Sequence, residues 1–311
     1  MAPRDLITTL MLAMLLTSGC KPRRSAGATA VDTVAARQSV EIFLAQHYAA
    51  FARGDVDYWT QVMADSVYLS TAEPASPVVG KSQVHARMAA EFGPALAVGV
   101  HIAITPAAHA IWISDDGRTA ASTYELNYVS TYQNKSYPVH LRSSILMIRD
   151  SARWEILATH YSRPISQDTL FMALVNHQIP EAGRMEPAVS STALDDQFRH
   201  DLADISKAPL ADNVVLIMPA GGIVAGREAA RNTLVEWLGR PGNAREAGTG
   251  LRAVLTPSGT AGWVAANLDV PIYAGPESGT APVRVLMIYR QSQGKWEIIQ
   301  GHFSVGLRSR R

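Results

Sequence analysis

The stretch Trp154-Glu155-Ile156-Leu157-Ala158-Thr159-His160-Tyr161-Ser162 returns 142 positions later as Trp296-Glu297-Ile298-Ile299-Gln300-Gly301-His302-Phe303-Ser304. Both versions open on Trp-Glu-Ile and close on His-x-Ser, in an apolar alternation that suits a strand. The echo extends upstream, where Ala64-Asp65-Ser66-Val67 reads like Ala211-Asp212-Asn213-Val214 and Gly80-Lys81 like Gly226-Arg227. A short period would mean a solenoid. A period of domain size means a duplicated globular module, each copy burying its own core.

Outward from that strand, each copy reads helices first and strands after. Val40, Phe43, Leu44, His47, Tyr48 and Phe51 fall at helical spacing before Gly54-Asp55; Leu194, Phe198, Leu202 and Ile205 repeat the stripe before Pro209. A short strand, a Pro/Gly loop and a further helix follow in both. Turn signals such as Ser114-Asp115-Asp116-Gly117 and Pro257-Ser258-Gly259 then separate long strands. This order predicts an α+β fold in which a curved antiparallel sheet wraps about three helices and encloses an elongated pocket in each copy. The expected boundaries are 33–164 and 190–307, with a structured connector over 165–189.

The Ala52-Arg53-Gly54-Asp55 turn, the Ala-Asp-x-Val strand starts, Val-Val-Gly-Lys and Val-Ala-Gly-Arg before the third helix, and the final Trp-Glu-Ile…His-x-Ser strand resemble the SnoaL-like domains of the nuclear transport factor 2-like (ketosteroid isomerase-like) superfamily. The resemblance implies a cone-shaped α+β barrel and frequent dimerisation through the sheet, here as a homodimer or as pairing of the two copies. It implies no single activity, because the superfamily spans isomerases, dehydratases and pure binding domains. Its isomerases place a carboxylate base at a position that falls on Thr71 in the first copy and Met218 in the second, and neither accepts a proton from carbon. Their helix-one tyrosine falls on His47, beside Tyr48, and near Asp201 in the second copy.

The remaining chemistry-bearing candidates lie on strands expected to line the pockets. Strand alternation puts Trp154, Ile156, Ala158, His160 and Ser162 on one inward face. His160 and Ser162, with His140 and Tyr68 on strands that could face the pocket, are ligand-pocket candidates in the first copy, and His302, Ser304 and Trp263 are in the second. Arg142 and Arg284, at the same offset, suit an edge ion pair or an anion clamp. No spacing fits a zinc or calcium site, and Gly248-Thr249-Gly250-Leu251-Arg252-Ala253 lacks the leading strand of a dinucleotide fingerprint, so neither metal nor cofactor is expected.

The first twenty residues carry Arg4, an apolar run from Leu6 to Leu16 and Thr17-Ser18-Gly19-Cys20, which reads as a signal peptide over 1–19 and resembles a bacterial lipobox. Cys20 is the one cysteine of the chain, so it has no internal partner and lipidation gives it a role. Residues 20–32 then read as the lipidated cysteine and a tether. Lys21 favours the outer membrane, with secretion as the outcome if Cys20 is not modified. A net charge of +1, with Lys/Arg runs confined to Lys21–Arg24 and Arg308–Arg311, argues against nucleic acid. The residues therefore favour a lipid-anchored envelope protein whose pockets bind a small, mostly apolar ligand. The alternatives are an isomerase or dehydratase using a pocket histidine, and an assembly module.

Overall fold

The computed structural model describes residues 32–72, 76–150, 153–176, 187–239, 250–274 and 277–306, together with residues 179, 185, 245 and 246. The expected signal segment, Cys20, nearly all of the tether and Arg308–Arg311 lie outside them.

The first copy opens with α1 (Thr33–Arg53). Asp32 caps it by accepting from the Val34 and Ala35 N–H groups, and Gly54 closes it at φ 68°, a left-handed cap that a Cβ disfavours. Ala36, Val40, Leu44, His47 and Tyr48 form its buried stripe. Then come α2 (Val56–Gln61), β1 (Met63–Ser70), β2 (Val78–Val79), α3 (Lys81–Ala97), β3 (His101–Ile113), β4 (Thr119–Tyr132), β5 (Lys135–Asp150) and β6 (Arg153–Ser162). The strand order is β2-β1-β6-β5-β4-β3. The sheet is mixed rather than antiparallel throughout, since β1 and β6 run parallel.

A connector helix, α4 (Gln167–Val175), and the two-residue β7 (Ala188–Val189) lead into the second copy. It contains α5 (Thr192–Ala203), a 3-10 turn (Ile205–Lys207), β8 (Leu210–Ile217), β9 (Ile223–Ala225), α6 (Arg227–Leu238), β10 (Arg245–Glu246), β11 (Arg252–Leu255), β12 (Ala261–Ala274), β13 (Glu277–Ser292) and β14 (Lys295–Ser304). The order β9-β8-β14-β13-β12-β11 repeats that of the first copy, with β7 added beside β11 and β10 on β12. Trp154 pairs with Arg149 and Trp296 with Gln291, so the two tryptophans occupy equivalent places.

One irregularity, present twice, decides which face each side chain takes. In β6 the pairing steps from Met147↔Ile156 to Leu146↔Ala158, which leaves Leu157 as an extra residue. In β14 it steps from Tyr289↔Ile298 to Ile288↔Gln300 and leaves Ile299 extra. Such a bulge shifts the side-chain period by one and sends every later residue to the opposite face. Trp154 and Ile156 therefore pack with the helices, while Leu157 and Ala158 pack against the other copy. The described residues form three apolar cores: one under the helices of each copy, and one between the two sheets, built from Tyr68, Ala121, Leu146, Trp263, Leu286 and Ile288 among others.

Candidate functional site

The sheet of the first copy and its helices enclose a cavity of about 440 Å³. Helix α1 supplies Tyr48 and Phe51, α2 supplies Trp59, and α3 supplies Met88, Glu91 and Phe92. Strands contribute Leu69, Ile104, Leu126, Tyr128, Val139, Leu141 and Tyr161, and Thr71, Ala72 and Arg163 follow the ends of β1 and β6. Aromatic packing fixes the inner wall: Phe51 meets Phe92 edge-on at 4.7 Å and Trp59 at 5.4 Å between ring centroids.

Several polar groups in and behind this wall are buried or paired. Tyr48 Oη and Ser143 Oγ share a hydrogen bond of 2.9 Å, and burial pushes the Tyr48 phenol well above its ordinary range. Burial likewise lifts Tyr161 to about 12. His47, stacked on Trp59 at 5.2 Å, is lowered to about 3 by burial and stays neutral. Glu91 is engaged by Arg87 Nε one helical turn away. The position where superfamily isomerases carry their base holds Thr71, a hydroxyl in the cavity wall. Such a site can enclose an apolar molecule and offer hydroxyl hydrogen bonds, with the Glu91 carboxylate in its lining.

None of the seven expected ligand-pocket residues lines this cavity, and for the four on β6 and β14 the reason is the bulge. Because Leu157 takes an extra place, His160 and Ser162 point to the sheet–sheet interface, and Ile299 does the same to His302 and Ser304. His160 and His302 stack at 4.1 Å between centroids and 9° between planes. Each imidazole reaches the other copy's serine: His160 Nε2 to Ser304 Oγ at 2.7 Å and His302 Nε2 to Ser162 Oγ at 2.7 Å. His302 Nδ1 adds Ser144 Oγ at 3.0 Å. Burial first, and then the nearby Arg284 and Arg142 charges, holds His160 well below its ordinary pKa; burial, His160 and the same arginines do so for His302. Tyr68 and Trp263 meet at 5.2 Å across the same interface.

His140 lies on the outer face of the first sheet, 3.1 Å from Asn127 Oδ1 and 3.4 Å from Glu125, which His109 approaches to 2.9 Å. The His109 hydrogen bond is the main influence lowering the Glu125 pKa. Arg142 is buried and donates to the Gly221 carbonyl at 3.2 Å and to Ser162 Oγ at 3.3 Å; with Arg284, also buried, it belongs to the interface rather than to a pocket mouth. Among the described residues no group of three or more His, Cys, Asp or Glu is arranged to hold a metal ion.

In the second copy the corresponding wall is filled. Met218 stands where the first copy has Thr71, Phe303 where it has Tyr161, Val305 where it has Arg163 and Val270 where it has Tyr128; all four are buried in one apolar cluster. Asp201, near the helix-one tyrosine position, is fully buried. It accepts hydrogen bonds from Tyr289 Oη at 3.1 Å and Gln197 Nε2 at 2.7 Å, and burial raises its pKa. The cavity residues missed by sequence reasoning, chiefly Phe51, Trp59, Phe92, Tyr128 and Tyr161, carry one usable signal. They are aromatics contributed by helix and strand to one copy, and most have no aromatic counterpart in the other.

The sequence profile of the SnoaL-like domain matches residues 40–166 and 191–308. No curated protein matches the chain. Among solved structures, the chain is similar to a ketosteroid isomerase-like protein from Erwinia carotovora atroseptica, at 14% identity and a TM-score of 0.35, covering 40% of this chain and 94% of that one. It is also similar to an NTF2-like protein with a cystatin-like fold from Novosphingobium aromaticivorans, at 11% identity and a TM-score of 0.37, covering 51% and 91%. A Catenulispora acidiphila protein in complex with S-DNPA shares 12% identity at a TM-score of 0.37, covering 45% and 98%.

Proposed function

The chain belongs to the SnoaL-like domain family, whose domain it carries twice, and from that premise we propose that its first copy binds one small, mostly apolar molecule without transforming it. The observation that carries this reading is the cavity of about 440 Å³, with an aromatic and aliphatic wall whose phenols stay protonated. That volume falls in the ordinary range for small-ligand sites, roughly 300–1,000 Å³. Isomerase or dehydratase chemistry through His140, His160 or His302 finds no support in their placement, since each lies away from the cavity. The assembly reading is supported only in that the two copies pair with each other through their sheets.

The experiment is a titration with the neutral fluorescent probe N-phenyl-1-naphthylamine. The natural chain is expected to bind one equivalent, and Thr71→Trp, which puts an indole into the cavity from its wall, to weaken binding at least tenfold. Equal binding by both chains refutes the assignment of the site.

The second part of the proposal is location. Cys20 carries lipid and holds the protein in a bacterial envelope, with the outer membrane favoured by Lys21. The apolar run ending in Thr17-Ser18-Gly19-Cys20 supports it. Membrane fractionation of the natural chain against Cys20→Ser is the test; identical partitioning of both into the soluble fraction refutes it and leaves secretion.

A further inference from the structure

The two copies are unequal in a way that duplication alone does not produce, and the connector helix α4 is seated on one of them. After β6 the chain crosses to the other copy, where Ile165 N–H donates to the Pro219 carbonyl at 3.3 Å and Ile165 bridges Ala220. That loop follows β8 as Thr71 and Ala72 follow β1, so it is the counterpart of one wall of the first copy's cavity. Helix α4 then packs on β13, the counterpart of the strand that supplies Val139 and Leu141. Its Leu170 is buried in the apolar cluster that also holds Met218, Val283, Phe303 and Val305, and Ala173 is buried one turn on. The opposite side of this short helix leaves Met172 and Val175 in solvent, at 52% and 42% exposure. Helix α4 is thus seated on the second copy at the place where the first copy opens, with Leu170 and Ala173 buried beneath it.

We propose that the second copy holds a second, latent binding site whose mouth is closed by the chain's own α4. The group that enters it is an uncharged apolar one. The side chains that give the first cavity its polar rim, Thr71, Glu91, Tyr128 and Arg163, are replaced here by Met218, Trp237, Val270 and Val305, which offer neither hydroxyl nor charge. A leucine side chain already fits the mouth, and a ligand that displaces it gains the same apolar contacts. This goes beyond the reading of the first cavity and does not depend on it.

The test uses the full chain carrying Thr71→Trp, so that the first cavity is blocked, and N-phenyl-1-naphthylamine as probe. Adding Leu170→Asp, which expels α4, is expected to restore one equivalent of probe with affinity at least tenfold above the Thr71→Trp parent. Met172→Asp, on the exposed side of the same helix, is expected to restore none. Refilling the mouth with Val305→Trp is expected to remove the restored binding. If Leu170→Asp prevents cooperative folding, Leu170→Ala takes its place with the same expectation. A folded Leu170 variant that binds no more probe than the parent overturns the proposal, as does equal binding by the Met172 variant. Failure of the natural chain to bind in the first copy leaves this comparison unaffected and counts only against the first cavity.

Discussion

His160 and His302 stack between the two copies, and each hydrogen-bonds a serine of the opposite copy through Nε2. Removing the His302 imidazole takes from the buried Ser144 hydroxyl the hydrogen bond that its Nδ1 makes. His302→Leu should therefore destabilise the protein by about 1–3 kcal/mol, while probe binding in the cavity stays within twofold. A melt unchanged by the substitution, or a cavity emptied by it, contradicts the interface role. His47 makes the opposite case. It is buried against Trp59 and Phe43 with neither ring nitrogen hydrogen-bonded, so His47→Phe removes an unsatisfied polar group and should be neutral or stabilising. The same residue governs pH response. Its folded pKa lies near 3 against 6.5 for the free side chain, so below pH 6.5 the unfolded chain binds a proton that the folded chain refuses. Stability then falls as pH drops from about 6.5 toward about 3, by up to ~1.4 kcal/mol per pH unit for this group, and His160 and His302 act with the same sign. Urea midpoints at pH 7 and pH 5 should fall less for His47→Phe than for the natural chain; parallel losses rule out the assignment.

At the scale of the element, the bulges at Leu157 and Ile299 and the cap at Gly54 have the largest consequences. Gly54 ends α1 at φ 68°, and a Cβ placed there runs into the Leu96 side chain near the end of α3. Gly54→Ala should cost about 1–3 kcal/mol through backbone strain and displacement of Leu96, read as a lower urea midpoint at unchanged slope. The bulges explain what could and could not be read in advance. Helix stripes such as Val40, Leu44 and Tyr48 were legible because burial needs a fixed spacing of about 3.6 residues. Strand alternation gave the right face for Trp154 and Ile156 and the wrong one for His160 and Ser162, because one extra residue inside β6 reverses a period of two. Nothing in Leu157 or Ile299 as residue types marks a bulge. α3 and α6 differ in a similar way: α6 ends at Gly239, whereas α3 runs past Gly93 and includes Pro94, an extension that tertiary contacts such as Leu96 on Gly54 sustain against propensity.

For the whole molecule, the interface core means that neither copy is finished alone. Residues 32–164 expressed by themselves would expose Tyr68, Ala121, Leu146 and Leu157, which are buried against the second copy. Such a fragment should self-associate through that face; sedimentation that shows a stable monomer at micromolar concentration would count against the packing described. Duplication thus places on one chain a face-to-face pairing of two sheets, with the Arg142 and His-Ser contacts fixing its register.

The sequence by itself determined the duplication, the α+β order, the positions of the helices and the absence of a carboxylate at Thr71 and Met218. Each of these depends on local spacing or on residue identity, which the chain carries explicitly. Only the tertiary structure decided that the histidines join the two copies, that Tyr68 and Trp263 meet each other rather than a ligand, and that one copy is open while the other is closed by α4. Those outcomes rest on single-residue register shifts and on contacts between segments more than a hundred residues apart. No local pattern encodes them, because the free energy that selects them is the burial and hydrogen bonding gained only when the two sheets come together.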